Sequence, residues 1–155
     1  MPRRAAPSMP LPTLGLWAGA LACLGAGACR PAAPQELQVI GTDYGFTVPA
    51  TVPAGPTTIR FVNRGKVPHE MALGRLREGM TADSVMARLA EGRDPGEVTD
   101  GVVGILIVEP GDSSIGALRT DLVSGRTYMM ICQFQDADTL PPHVAMGMQA
   151  SFIVD

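Results

Sequence analysis

Beyond the first thirty or so residues, apolar and polar positions alternate over short stretches, and that period of two predicts strands. The clearest case is 57–63, where Ile59, Phe61 and Asn63 share one face and Thr58, Arg60 and Val62 the other. Similar stretches at 36–41, 46–52, 67–76, 102–108, 114–122, 127–133 and 149–154 are separated by turn signals. These include Thr42-Asp43-Tyr44-Gly45, Pro53-Ala54-Gly55-Pro56, Arg64-Gly65-Lys66, Pro110-Gly111-Asp112 and Ser124-Gly125. One segment, 81–91, departs from the period: Thr81 can cap, Asp83 sits in a first turn, Val85, Met86 and Leu89 share a face, and Gly92 ends it. A polar loop is expected over 93–101. The pattern predicts an all-β chain of about seven to eight short strands in a two-sheet β-sandwich, with one short helix inserted between strands. No internal repeat and no second domain are visible.

The N-terminal segment follows different rules. Arg3 and Arg4 precede an apolar, small-residue stretch over 11–28, interrupted by Pro12 and several glycines. A basic start, an apolar run and small residues before a cut site make a secretory signal, and the interruptions argue against a permanent spanning helix. Ala26-Gly27-Ala28-Cys29 resembles the lipobox of bacterial lipoproteins, with Ala26 where leucine is usual. That resemblance implies that Cys29 becomes the lipidated first residue of the mature chain. Cys23 is a second candidate, and plain cleavage near Cys29 is the alternative. The expected organisation is a signal peptide at 1–29, a linker at 30–36 and one domain at 37–155. The domain is expected on the periplasmic side of a bacterial membrane or on the cell surface, held by the lipid at Cys29.

Charge narrows the partners. Without Arg3 and Arg4 the chain has 10 basic and 15 acidic residues, a net charge of −5, and Lys66 is its only lysine. With no basic stripe, nucleic acid is not an expected partner. Cysteine narrows the chemistry. Of three cysteines two lie in the leader, and Cys132 has no partner in the domain. Exported domains use cysteine mostly in disulfides, so a lone thiol asks for a metal, a catalytic role or deep burial.

The chain's two histidines are His69 and His143, and Cys132 lies eleven positions before the second. Met146 and Met148 follow closely. One thiolate, two imidazoles and a thioether suit copper; zinc would take the Cys and His residues but seldom methionine, and hard cations would want carboxylates. In this arrangement the chain resembles the cupredoxins, the blue copper proteins. Asn63-Arg64-Gly65-Lys66-Val67-Pro68-His69 looks like the family's first-histidine segment, and Tyr128-Met129-Met130-Ile131-Cys132 like its cysteine strand. His143-Val144-Ala145-Met146-Gly147-Met148 looks like its final loop. The resemblance implies a Greek-key β-sandwich holding one copper ion, cycling between Cu(I) and Cu(II), on His69, Cys132, His143 and Met148, with Met146 as the alternative axial ligand. It implies outer-sphere electron transfer with a redox partner protein met near His143, by a monomer that is not an enzyme. The chain departs from the pattern in the ten residues between Cys132 and His143, in Pro141-Pro142 before that histidine, in Met146, and in the 81–91 helix.

Two other classes of function stay open. Copper handling as a chaperone, sensor or scavenger would suit the paired methionines and the long loop, with a copper-handling protein as partner. A metal-free surface sandwich would leave Cys132 a small buried hydrophobe and both histidines turn residues. Multi-copper enzymes need more histidines than two. Met71, Met80, Met86, Met129 and Met130 are expected in the core or on the helix face. Glu70 is expected to point away from His69, with a role in steering an imidazole left open.

Overall fold

The computed structural model describes residues 33–155. The signal peptide and the lipidation candidates Cys29 and Cys23 lie outside the described residues. Nine strands are present among the described residues: β1 (Gln35–Thr42), β2 (Gly45–Thr47), β3 (Thr51–Val52), β4 (Gly55–Asn63), β5 (His69–Leu76), β6 (Thr99–Val108), β7 (Leu118–Leu122), β8 (Thr127–Ile131) and β9 (Gln149–Val154), with one helix, α1 (Ala82–Ala90). They form a four-stranded sheet, β2-β1-β4-β7, and a five-stranded sheet, β3-β9-β8-β5-β6. The β1–β4 and β3–β9 pairs are parallel and the others antiparallel.

The sandwich is therefore as the alternation predicts, with local differences that have physical causes. The stretch 46–52 is two strands rather than one: β2 pairs with β1 and β3 with β9, so the chain changes sheets there. Pro49 lies between them; it has no N–H to give a ladder and suits the break. The stretch 114–122 pairs regularly with β4 only from Leu118 onward, while Ser114 bonds the Phe61 backbone through its own N–H at 2.8 Å. The loop expected at 93–101 contains a 3-10 turn, Pro95–Val98, and β6 already begins at Thr99.

Side chains alternating inward from both sheets fill the space between them. Leu37, Val39, Ile59 and Phe61 face Met71, Leu73, Tyr128, Met130, Phe152 and Val154, all buried. Tyr128 and Phe152 stack with ring centroids 5.5 Å apart. Each such large apolar side chain contributes about 1.5–3 kcal/mol when fully buried.

A second, smaller core lies on the outer face of the five-stranded sheet. Leu76, Met129, Ile131, Val98, Val144 and Val85 of α1 pack there, with Met80, Met86 and Leu89 partly buried against them. The helix starts where the sequence indicates. Thr81 Oγ1 accepts from the Ser84 N–H at 3.2 Å, and Ser84 Oγ accepts in return from the Thr81 N–H at 3.5 Å, a reciprocal cap. This core braces the segment carrying the second histidine, because Val144 belongs to it. Among the described residues no helix is long and apolar enough to cross a membrane.

Candidate metal centre

The inward face of β5 reads His69, Met71, Leu73, and that of β8 reads Tyr128, Met130, followed by Cys132 just past the strand end. The register pairs Leu73 with Met130, so Cys132 falls across from Met71 and diagonal to His69. Strand periodicity and this register together bring the first histidine and the cysteine to the same end of the core.

Asn63 and Gly65 fix the approach to His69. Asn63 is wholly buried at the end of β4. Its Nδ2 donates to the carbonyls of Val67 at 2.8 Å and Val108 at 3.0 Å, and its Oδ1 accepts from the Gly65 N–H at 2.8 Å. One amide side chain thereby closes the 64–68 loop. A Cβ on Gly65 would lie 2.8 Å from His69 Nε2 and against Asp43 Oδ1, so glycine is required for close approach rather than for an unusual φ.

The second half of the site is tied to the first by backbone hydrogen bonds. The Cys132 N–H donates to the Met148 carbonyl at 3.2 Å, and the Val144 N–H to the Cys132 carbonyl at 2.7 Å. The His143 N–H donates to the Phe134 carbonyl at 2.8 Å, and the Met148 N–H to the His143 carbonyl at 2.9 Å. The segment His143–Met146 is a 3-10 turn, closed by Gly147 at φ +105, a left-handed conformation that glycine adopts without cost. Met148 is fully buried, whereas Met146 is partly exposed.

The three strong donors converge. His69 Nδ1 lies 3.2 Å from His143 Nδ1, and Cys132 Sγ lies 3.4 Å from His143 Nδ1. All three residues are buried, and one ligand atom of each lies within 4.8 Å of the others. The Cys132 sulfur also accepts from the Glu70 N–H at 3.4 Å.

The outer edges of the rings settle which nitrogen faces inward. His69 Nε2 lies 3.2 Å from Asp43 Oδ1, and His143 Nε2 lies 3.0 Å from Asp136 Oδ1. An ionised carboxylate only accepts, so each Nε2 carries the proton and, in the neutral ring, each Nδ1 presents a lone pair. Two such lone pairs 3.2 Å apart repel unless a proton or a metal ion lies between them. Both carboxylates are held in turn: Asp43 Oδ1 accepts from the Lys66 N–H at 2.8 Å, and Asp136 Oδ2 from the Tyr44 hydroxyl at 2.5 Å. The Tyr44 ring stands edge-on to His143 at a centroid distance of 4.9 Å.

Burial lowers the pKa of His69, against the pull of its bond to Asp43, and raises that of the Cys132 thiol. Asp136 is held below the ordinary carboxylate value, first by the Tyr44 hydroxyl and then by His143. At Asp43, burial acts to raise the pKa but is outweighed by hydrogen bonds from the Lys66 backbone and from His69.

These residues fit a metal ion. With bonds of about 2.0 Å to nitrogen and about 2.3 Å to sulfur, two ligands on one ion stand roughly 3.3–3.8 Å apart. The 3.2 and 3.4 Å separations are close to that without rearrangement. One thiol sulfur and two imidazoles form a soft and borderline donor set that suits copper.

Asp43, Asp136 and Tyr44 escape a reading of the sequence. The two carboxylates hold the imidazoles across 26 and 7 positions of chain, Tyr44 holds Asp136, and no linear motif marks them. The one available signal is the long stretch between Cys132 and His143, which carries Asp136. Glu70 does not steer an imidazole: its carboxylate accepts from the Gln133 N–H at 2.7 Å and braces the residue after Cys132.

No family model matches the chain, and no curated protein matches its sequence. Solved structures do match. The dithionite-reduced auracyanin of the photosynthetic bacterium Roseiflexus castenholzii is 19% identical, with a TM-score of 0.52 over 80% of this chain and 99% of that one. Auracyanin B is 21% identical, with a TM-score of 0.51 over 80% of this chain and 91% of that one. These neighbours are blue copper cupredoxins, and the two-sheet architecture described above is the cupredoxin fold.

Proposed function

We propose that this chain is an exported one-electron carrier that holds a single copper ion. His69 Nδ1, Cys132 Sγ and His143 Nδ1 are the strong donors, and Met148 the weak fourth. The observation that carries this reading is the convergence of two imidazole nitrogens and one sulfur at 3.2 and 3.4 Å inside a buried site. Copper held there supplies a couple between Cu(I) and Cu(II) at a thiolate-rich centre.

The chain's own contribution is to keep that donor set fixed. Two sheet strands, the Asn63 clamp and the backbone bonds of the 143–148 segment give the ligands little freedom to rearrange, which favours electron exchange without large reorganisation. The Cys132 thiol gives up its proton on binding, so uptake of copper releases protons. Burial of the three donors excludes water and bulky ligands, which supports outer-sphere transfer and speaks against a substrate reaction.

The weak fourth position is assigned to Met148, which is fully buried, rather than to Met146, which is partly exposed. The partner is a redox protein, the domain acts as a monomer, and a lipid on Cys29 holds it on the periplasmic side of a bacterial membrane or on the cell surface. A copper-handling role predicts rapid hand-off to an acceptor, and that requires accessible ligands; all three strong donors are buried.

The test is metal analysis with an optical spectrum of the purified protein, before and after Cu(II). One equivalent of copper with an intense blue thiolate-to-copper absorption is expected. A colourless Cu(II) complex, or no uptake, overturns the reading.

A further inference from the structure

Both imidazoles of the site are backed by a carboxylate, and neither carboxylate is a free surface group. Asp43 bridges from His69 Nε2 to the Lys66 N–H, at 3.2 and 2.8 Å. Asp136 bridges from His143 Nε2 to the Tyr44 hydroxyl, at 3.0 and 2.5 Å. The side chains of Asp43 and Asp136 are only 27% and 21% exposed, so each charge is set in place behind its ring.

Building on the copper reading, we propose that Asp43 and Asp136 are positioning residues that bias the bound ion toward its divalent state. The reason is chemical. A carboxylate that accepts the Nε2–H makes the opposite nitrogen a stronger donor and adds negative charge beside the site. Both effects favour Cu(II) over Cu(I), because the ion that carries more charge gains more from each. They oppose the weak thioether and the buried thiolate environment, which favour Cu(I). The pair is symmetric in role but not in mounting. Asp43 is held by backbone and Asp136 by a side chain, so the second is the more easily adjusted of the two.

The full-length copper-loaded protein tests this by optical redox titration of wild type, Asp43→Asn and Asp136→Asn. Asparagine still offers an oxygen to the imidazole but no charge. Each substitution is expected to raise the Cu(I)-to-Cu(II) affinity ratio about tenfold, an upward shift of about 59 mV for one electron. A purely structural role would weaken both oxidation states alike and leave the potential in place. Potentials that stay put or fall, in variants that keep the blue absorption, overturn the proposal. Should Asp43→Asn fail to fold, Asp43→Ser replaces it with the same upward shift expected; should Asp136→Asn fail, Tyr44→Phe replaces it. That change leaves both carboxylates and removes one donor from Asp136, so the potential is expected to fall; an unchanged or higher value overturns the proposal. Wild-type protein that takes up no copper removes the copper reading and this inference together.

Discussion

Replacing Asn63 with leucine tests how the first histidine is held, because the change keeps the number and branching of side-chain heavy atoms and removes every hydrogen bond. Three are lost: to the Val67 carbonyl, to the Val108 carbonyl and from the Gly65 N–H. The bond to Val108 is buried, and an acceptor stripped there costs about 1–3 kcal/mol. The other two are partly open to water, which restores part of their energy, so each contributes about 0.5–1 kcal/mol. The expected loss is about 2–5 kcal/mol, a large share of the stability of a small domain. Urea unfolding of metal-free protein measures it, as a lower midpoint at unchanged m-value. Because the same bonds close the loop that leads into His69, copper affinity is expected to fall with stability. A stability change below about 0.5 kcal/mol, the range of ordinary surface substitutions, together with unaltered copper affinity, would refute the clamp.

Further outcomes follow from neighbouring geometry. Gly65→Ala places a methyl group 2.8 Å from His69 Nε2 and against Asp43 Oδ1. Displacing that outer partner is expected to weaken copper binding by about 10–100-fold, read by competition with a chelator. Met148→Leu is expected to alter the visible spectrum and raise the potential, whereas Met146→Leu leaves both in place; the reverse result would reassign the thioether. Metal-free protein is expected to lose stability as pH falls below about 6.5, the unfolded histidine value. Burial holds His69 below that value, so the unfolded chain binds more protons there and gains on acidification; denaturant midpoints from pH 8 to 5 check this.

Much of the fold is legible along the chain. Alternation at 57–63 marks the buried face of Ile59, Phe61 and Asn63, and Thr81, Val85 and Gly92 mark the helix and its ends, because local periodicity and capping are properties of adjacent residues. The order of His69, Cys132, His143 and Met148 is likewise written along the chain. What it does not contain is distance. The split of 46–52 into strands of different sheets, the 3-10 turn at His143–Met146 and the second core under α1 depend on which surfaces remain to be covered once the sheets pair.

The carboxylates behind the two imidazoles are the sharpest instance. Asp43 sits in a hairpin turn and Asp136 in a long loop, and each would pass for a solvated acid in one dimension. Only the closing of two sheets sets them against ring nitrogens, because hydrogen bonds are made between neighbours in space, and a strand's period of two says which way a side chain points but not what it meets.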